Sequence, residues 1–259
     1  MSSERRFFVK PEDIFDDTVV ITGQDAAHIA AVLRLQTGDR VSVSDGQTMV
    51  YEVELTRVSR DEVRGHALSA TERPGTNASL VVYQGLPKAK KMDLIVEKLT
   101  EIGADRIVPV AMSRSVAEYD GARGGKKVER WRTVAAEAAK QSRRVTLPEV
   151  AGIMTWKEAQ ADMVASGAII VPWEEEKSKS ISEAIDDLDK SPRERTSVAL
   201  VIGPEGGITK EEISDLTKAG AVTVTLGDNI LRTETAAIVA TALAVTLMKD
   251  KAQKGLLPH

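Results

Sequence analysis

Up to residue 72 the chain alternates apolar and polar positions in short runs. These period-two stretches predict β-strands at 19–22, 40–44, 49–56 and 61–68. Turn signals stand between them, notably Thr37-Gly38-Asp39 and Asp45-Gly46-Gln47. One helix interrupts the series at 25–35, where Ala26, Ile29, Ala30 and Leu33 fall at helical spacing. A small β-rich unit of this kind suits a binding module. The polar stretch around Pro74-Gly75 then stops either kind of regular structure. It predicts a linker over 73–78 between domains at 1–72 and 79–259.

From residue 79 strands and helices alternate. A strand at 80–84 precedes a helix marked by Met92, Ile95, Val96, Leu99 and Ile102 and closed by Gly103. A strand follows at 106–112, then a helix at 126–142 whose stripe is Val128, Trp131, Val134, Ala135 and Ala138. Further strands are predicted at 168–172, 198–202 and 221–226. Thr209 and Glu212 have the spacing of a capping box, which starts a helix between the last two. This order reads as an α/β domain with a mostly parallel sheet. Ordinary connection rules make it doubly wound and unknotted. The last helix, 235–248, is apolar nearly all round and must be covered on every side. The sheet covers one side; a second copy of the chain covers the other, which predicts a homodimer through this helix.

Composition narrows the chemistry. There is no cysteine, so no disulfide or thiolate is available, and a reducing cytoplasm is the expected setting. His28, His66 and His259 lie too far apart for a metal pair, and no metal is expected. No apolar run reaches the roughly 20 residues of a membrane span, and the N-terminus lacks a signal-like apolar region. Net charge is −4, from 35 Lys and Arg against 39 Asp and Glu. Its distribution matters more, because phosphate contacts need only one basic face. Between Arg114 and Arg144 nine basic residues oppose four acidic ones, while negative charge gathers at 174–176 and 183–189. Lys88, Lys90 and Lys91 begin a helix, where lysine opposes the helix dipole; that favours phosphate contact over a merely solvated start. Lys140, Arg143 and Arg144 close the basic helix, where the dipole favours them in any case.

Two glycine loops at strand ends carry the candidate site. Ile202-Gly203-Pro204-Glu205-Gly206-Gly207 and Leu226-Gly227-Asp228-Asn229-Ile230-Leu231-Arg232 each feed a helix. Such loops at the carboxyl edge of a parallel sheet suit a nucleotide-like ligand. Neither gives the dinucleotide fingerprint or a P-loop. The glycines alone fit equally a tight turn that binds nothing.

The pair IGPEGG (202–207) and LGDNILRTETA (226–236) resembles the ribosomal RNA small-subunit methyltransferase E family of the SPOUT class. The likeness extends through LPKAKKMDLIVEKLTEIGADRIVPV (86–110) and AAEAAKQSRR (135–144), and so over most of the chain. It implies a C-terminal domain with a deep trefoil knot, an N-terminal PUA-like β-barrel that binds RNA, and a homodimer. The implied reaction is methyl transfer from S-adenosylmethionine to N3 of a uridine in 16S rRNA, on the small ribosomal subunit. Cofactor contacts are expected from Pro172, Ile202, Gly203, Pro204, Glu205, Gly206, Gly207, Leu226, Gly227, Leu231, Arg232, Thr235 and Ala236. RNA contacts are expected from Arg5, Arg6, Arg34, Lys88, Lys91 and Arg143; His28 is expected to be simply packed or solvated. Arg232 keeps its charge and is the expected catalytic residue, stabilising negative charge on the uracil oxygens. Glu234, at a helix start, is expected to cap; Glu205 stays open between base, cofactor contact and loop hydrogen bonding; the base is not identified. A non-catalytic RNA-binding protein, a dinucleotide-dependent oxidoreductase, and a related methyltransferase acting on another RNA position or a ribose 2′-hydroxyl are the alternatives.

Overall fold

A computed structural model describes residues 6–72, 79–115, 121–188 and 197–253. The expected linker and Arg5 lie outside them. The described residues divide into two compact units, 6–72 with 139–147, and the remainder.

The first unit holds a six-stranded sheet. Its strands are β1 (Arg6–Phe8), β2 (Ile14–Phe15), β3 (Thr18–Thr22), β4 (Arg40–Ser44), β5 (Met49–Val58) and β6 (Glu62–Glu72), in the order β1-β4-β5-β6-β3-β2. β1 runs parallel to β4; the other pairs are antiparallel. Period-two burial sets the core: Val19 and Ile21 of β3 point inward while Thr18 and Thr22 face solvent. β1 and β2 are too short to show a period, which is why the sequence pattern passes over them.

The helix expected at 25–35 is instead a short α1 (Gly23–Ala27) running into a π-helical turn at His28–Leu33. Apolar spacing does not separate the two, since they differ in which carbonyl each amide meets. Arg34 ends the turn in the left-handed region, φ 54°, exposed to solvent.

Residues 139–147 are bound into this unit. Lys140 Nζ meets Asp25 Oδ1 at 2.6 Å, and Ser44 Oγ donates to the Val145 carbonyl at 2.7 Å. Arg6 donates to the carbonyls of Arg143 and Arg144 at 2.5 and 3.1 Å. The guanidinium of Arg6 is thus engaged in holding the chain together.

The second unit is a seven-stranded, wholly parallel sheet. In chain order its elements are β7 (Ser79–Gly85), α2 (Lys91–Ile102), β8 (Arg106–Ala111), α3 (Gly121–Gln141, its last turn in the first unit), β9 (Glu149–Val150) and β10 (Met154–Thr155). There follow α4 (Trp156–Ser166), β11 (Ala168–Pro172), α5 (Ile181–Leu188), β12 (Ser197–Ile202), α6 (Lys210–Lys218), β13 (Val222–Val224) and α7 (Thr233–Gln253). The sheet order is β10-β8-β7-β12-β11-β13, with β9 also on β8. The central strands are buried on both faces, as a parallel sheet between helices requires. Leu80, Val82, Leu200 and Ile202 pack on one face with α2, α5 and α7. Val81, Tyr83, Ala199 and Val201 pack on the other with α4 and α6.

The capping box of α6 forms as its spacing predicts: Thr209 Oγ1 accepts from the Glu212 amide at 3.1 Å, and Glu212 Oε2 accepts from the Thr209 amide at 2.8 Å. The strand expected at 221–226 stops at Val224, and Leu226 and Gly227 turn instead into a cavity wall. Among the described residues no helix is long and apolar enough to cross a membrane.

Candidate cofactor-binding site

Two adjoining cavities open at the carboxyl edge of β11 and β12. The larger, about 490 Å³, is lined by the whole loop Gly203–Gly207, with Ile202 below it and Leu231, Arg232 and Thr233 beside it. The smaller is lined by Leu226, Gly227 and the turn through Leu231, with Pro172 and Trp173 opposite. Of the residues expected at a cofactor, all but Thr235 line one cavity or the other. Thr235 is exposed and lines neither, because the first turn of α7 directs it away while Ala236 faces inward.

The glycine loop is packed too closely for side chains. A Cβ on Gly203 would stand 2.8 Å from Ile208 Cγ1 and 3.1 Å from the backbone of Gly207 and Ile208. Gly207 adopts φ +74°, a conformation that costs other residues about 1–2 kcal/mol. From outside, Arg114 Nη1 donates to the Gly206 carbonyl at 2.8 Å.

Beneath the loop lies a polar contact absent from the sequence reading. Thr233 Oγ1 donates to the Gly203 carbonyl at 2.6 Å, and the buried Gln84 Nε2 donates to Thr233 Oγ1 at 3.1 Å. Gln84 is wholly buried at the end of β7, and no partner meets its Oε1 among the described residues. A glutamine inside an otherwise apolar strand was the available signal, since a buried amide needs partners. Glu174, which lines both cavities, stands out in the sequence only as part of the negative charge gathered at 174–176.

Lys91 joins three elements. From the first residue of α2 its Nζ reaches Glu205 Oε1 of the glycine loop and Glu234 Oε2 of α7, each at 3.1 Å. The contacts with Glu234 and then Glu205 raise its ammonium above the ordinary lysine value. Glu205 also accepts from the Lys88 backbone amide at 3.1 Å through each oxygen. Burial alone raises the Glu205 carboxyl; hydrogen bonds from its own amide, Lys91 and the Lys88 amide outweigh it and leave the group below the usual range. Glu234 follows the same balance, with burial opposed by its own amide, Lys91 and Arg232. Both carboxylates therefore stay ionised at neutral pH and are weaker bases than an ordinary glutamate. Lys91 has its charge answered within the protein, which the expectation of an RNA contact did not include. Lys88 and Arg34 are exposed, and neither has a carboxylate partner among the described residues. Arg143 is exposed at the end of α3. Arg232, exposed, lines the larger cavity where the two loops meet.

Among the described residues no three of His, Cys, Asp and Glu gather as metal ligands would.

Comparison with known proteins places these features in context. Residues 74–245 match a family model described as an RNA methyltransferase domain, and residues 21–67 one described as an RNA methyltransferase PUA domain. The chain is 36% identical over 234 residues to the ribosomal RNA small subunit methyltransferase E of Mycobacterium bovis, spanning 88% of this chain and 87% of that protein. It is 34% identical over 224 residues to the protein of the same name from Bacillus subtilis, spanning 86% and 88%. The crystal structure of a ribosomal RNA small subunit methyltransferase E from Neisseria gonorrhoeae, bound to S-adenosyl methionine, superposes with a TM-score of 0.79 at 26% identity, over 94% of this chain and 98% of that one.

Proposed function

This chain belongs to the ribosomal RNA small subunit methyltransferase E family, and from that premise we propose that it methylates N3 of a uridine in 16S rRNA, using S-adenosylmethionine. The observation that carries the proposal is the meeting of the two glycine loops at one sheet edge, with Arg232 exposed on the wall between them.

The residues present fit the cofactor. Leu226, Ile230, Leu231 and Ala236 offer an apolar wall for an adenine, and Gly203–Gly207 brings backbone close to the rest of the ligand. When bound, S-adenosylmethionine supplies a methyl group on a positively charged sulfur. The chain's own residues position and stabilise. The Gln84–Thr233–Gly203 contact fixes the two loops against each other, so Arg232, one residue before Thr233, is held at the cavity. Positioning of this kind contributes much of a transfer rate. Arg232 cannot take the N3 proton because it does not deprotonate. Its guanidinium stabilises the negative charge that spreads onto the uracil oxygens as that proton leaves. With Glu205 and Glu234 paired to Lys91 and made weak bases by their lowered pKa, the proton passes to solvent. The uridine must leave its stack to reach the cavity.

The same reading places Arg34, Lys88 and Arg143 on the RNA. It includes closure of the first sheet into a PUA-like barrel, supported by Phe7 of β1 and Ile14 of β2 sharing one core. It includes a trefoil knot at the C-terminal end, cytoplasmic residence and action on the assembled small subunit. A homodimer through α7 is supported by the partly exposed stripe of Val239, Ala242 and Leu243 on that helix.

Methyl transfer from labelled S-adenosylmethionine to unmodified small subunits, followed by nucleoside analysis, tests the reading. N3-methyluridine is the expected product; a 2′-O-methylated nucleoside or another methylated base contradicts it.

A further inference from the structure

Pro172, Glu174, Ile230, Leu231 and Ala236 line both cavities, and Glu174 alone among them carries a polar side chain there. Its carboxylate enters no hydrogen bond or ion pair among the described residues. Its neighbours are engaged: Glu175 meets Lys210 at 3.3 Å, and Glu176 accepts from the Ser178 amide at 2.8 Å. Glu174 is also close to the glycine loop, since a Cβ on Gly207 would stand 3.1 Å from its Oε1. The result is a free pair of acceptors at the boundary between the two cavities.

We propose that Glu174 accepts hydrogen bonds from the 2′- and 3′-hydroxyls of the ligand's ribose. The inference rests on the reading of these cavities as the S-adenosylmethionine site. An adenine against the apolar wall of the smaller cavity (Leu226, Ile230, Leu231 and Ala236) and an amino-acid end over Gly203–Gly207 put the ribose at the shared boundary. A carboxylate just past the carboxyl end of a parallel strand is well placed for such hydroxyls, as in other open α/β sheets. A carboxylate is acceptor-only and meets two hydroxyl donors without leaving either group unpaired. Glu174 thereby sets specificity for a ribonucleoside ligand.

The test is calorimetric titration of the full chain and its Glu174→Ala variant with S-adenosylmethionine, with S-adenosylhomocysteine and with the 2′,3′-dideoxy analogue of the latter. Glu174 is exposed and unpartnered, so the variant keeps the wild-type melting temperature, which is checked alongside. The wild type is expected to favour the hydroxylated ligand by roughly tenfold or more. Glu174→Ala is expected to bind that ligand roughly tenfold more weakly and to lose the preference. A variant that discriminates as the wild type does overturns the assignment. So does a variant that loses S-adenosylmethionine far more than S-adenosylhomocysteine, because its carboxylate then faces the sulfonium. A wild type that binds neither ligand removes the cofactor reading itself, a result distinct from either.

Discussion

Thr233 Oγ1 lies 2.6 Å from the Gly203 carbonyl, joining the start of α7 to the loop that follows β12. The two residues are 30 apart in sequence; Gly203 belongs to the first glycine loop and Thr233 directly follows the second, so this one hydrogen bond sets where both meet. Gln84, from a third element, holds the threonine hydroxyl in turn. Thr233→Val removes the hydroxyl and leaves the Gly203 carbonyl only a long 3.5 Å contact from Gln84 Nε2, which keeps its bond to the Gly85 carbonyl at 2.8 Å. Unmet buried groups cost about 1–3 kcal/mol. The expected outcome is a loss of that size in denaturant unfolding and weaker cofactor binding, with both largely restored in Thr233→Ser.

Gly203→Ala tests the close packing of the loop. The new methyl meets Ile208 and two backbone atoms within about 3 Å, so the loop must shift. Overpacking of this kind costs about 1–3 kcal/mol. Calorimetry is expected to show weaker cofactor binding than wild type, while the far-ultraviolet circular dichroism stays unchanged.

Lys91→Met removes the cation that Glu205 and Glu234 share. In the wild type both carboxyls are held below their ordinary value. Their contribution to stability is therefore full above about pH 4.3 and is lost as pH falls through the depressed folded values. Lys91 is shifted upward, so its contribution is full below about pH 10.4 and is lost at higher pH. The gap in unfolding free energy between wild type and variant is expected to be widest between these limits and to narrow in acid. A gap independent of pH contradicts the pairing.

Glu176 shows the same sign more strongly. Hydrogen bonds from the Ser178 amide and hydroxyl, Thr223 and the Lys179 amide lower its pKa to about 2. The stability it contributes is present above the ordinary carboxyl range and is lost as pH falls toward about 2. Glu176→Gln is expected to lower the melting temperature at pH 7 and to flatten its decline over that acidic window.

How much of this was legible in the sequence depended on how local each cause was. The turn from β12 to α6 was readable because strand, glycines and capping box follow one another without a break between Ser197 and Glu212. The same spacing at Thr155/Glu158 and Ser180/Glu183 starts α4 and α5, yet both were missed. In α5 the apolar Ile181, Ala184 and Ile185 are interleaved with acids, and the charge masked the stripe. Lys91 could be read as a cation at a helix start. Its partners could not, because Glu205 and Glu234 reach it only once β7, β12 and α7 have assembled. Gln84 and Glu174 belong to the same class, since their roles come from neighbours distant in sequence.

The central claim is that Arg232, expected also at the cofactor, acts chiefly by stabilising charge in the transfer step. The direct measurement is the single-turnover rate of methyl transfer to small subunits for Arg232→Ala at saturating S-adenosylmethionine, beside its cofactor Kd. Loss of one such charge-stabilising group costs about 10²–10³ in rate. The account predicts a fall of that size with Kd within roughly threefold of wild type, less than 1 kcal/mol of binding. A wild-type rate at saturation with a greatly raised Kd would contradict it.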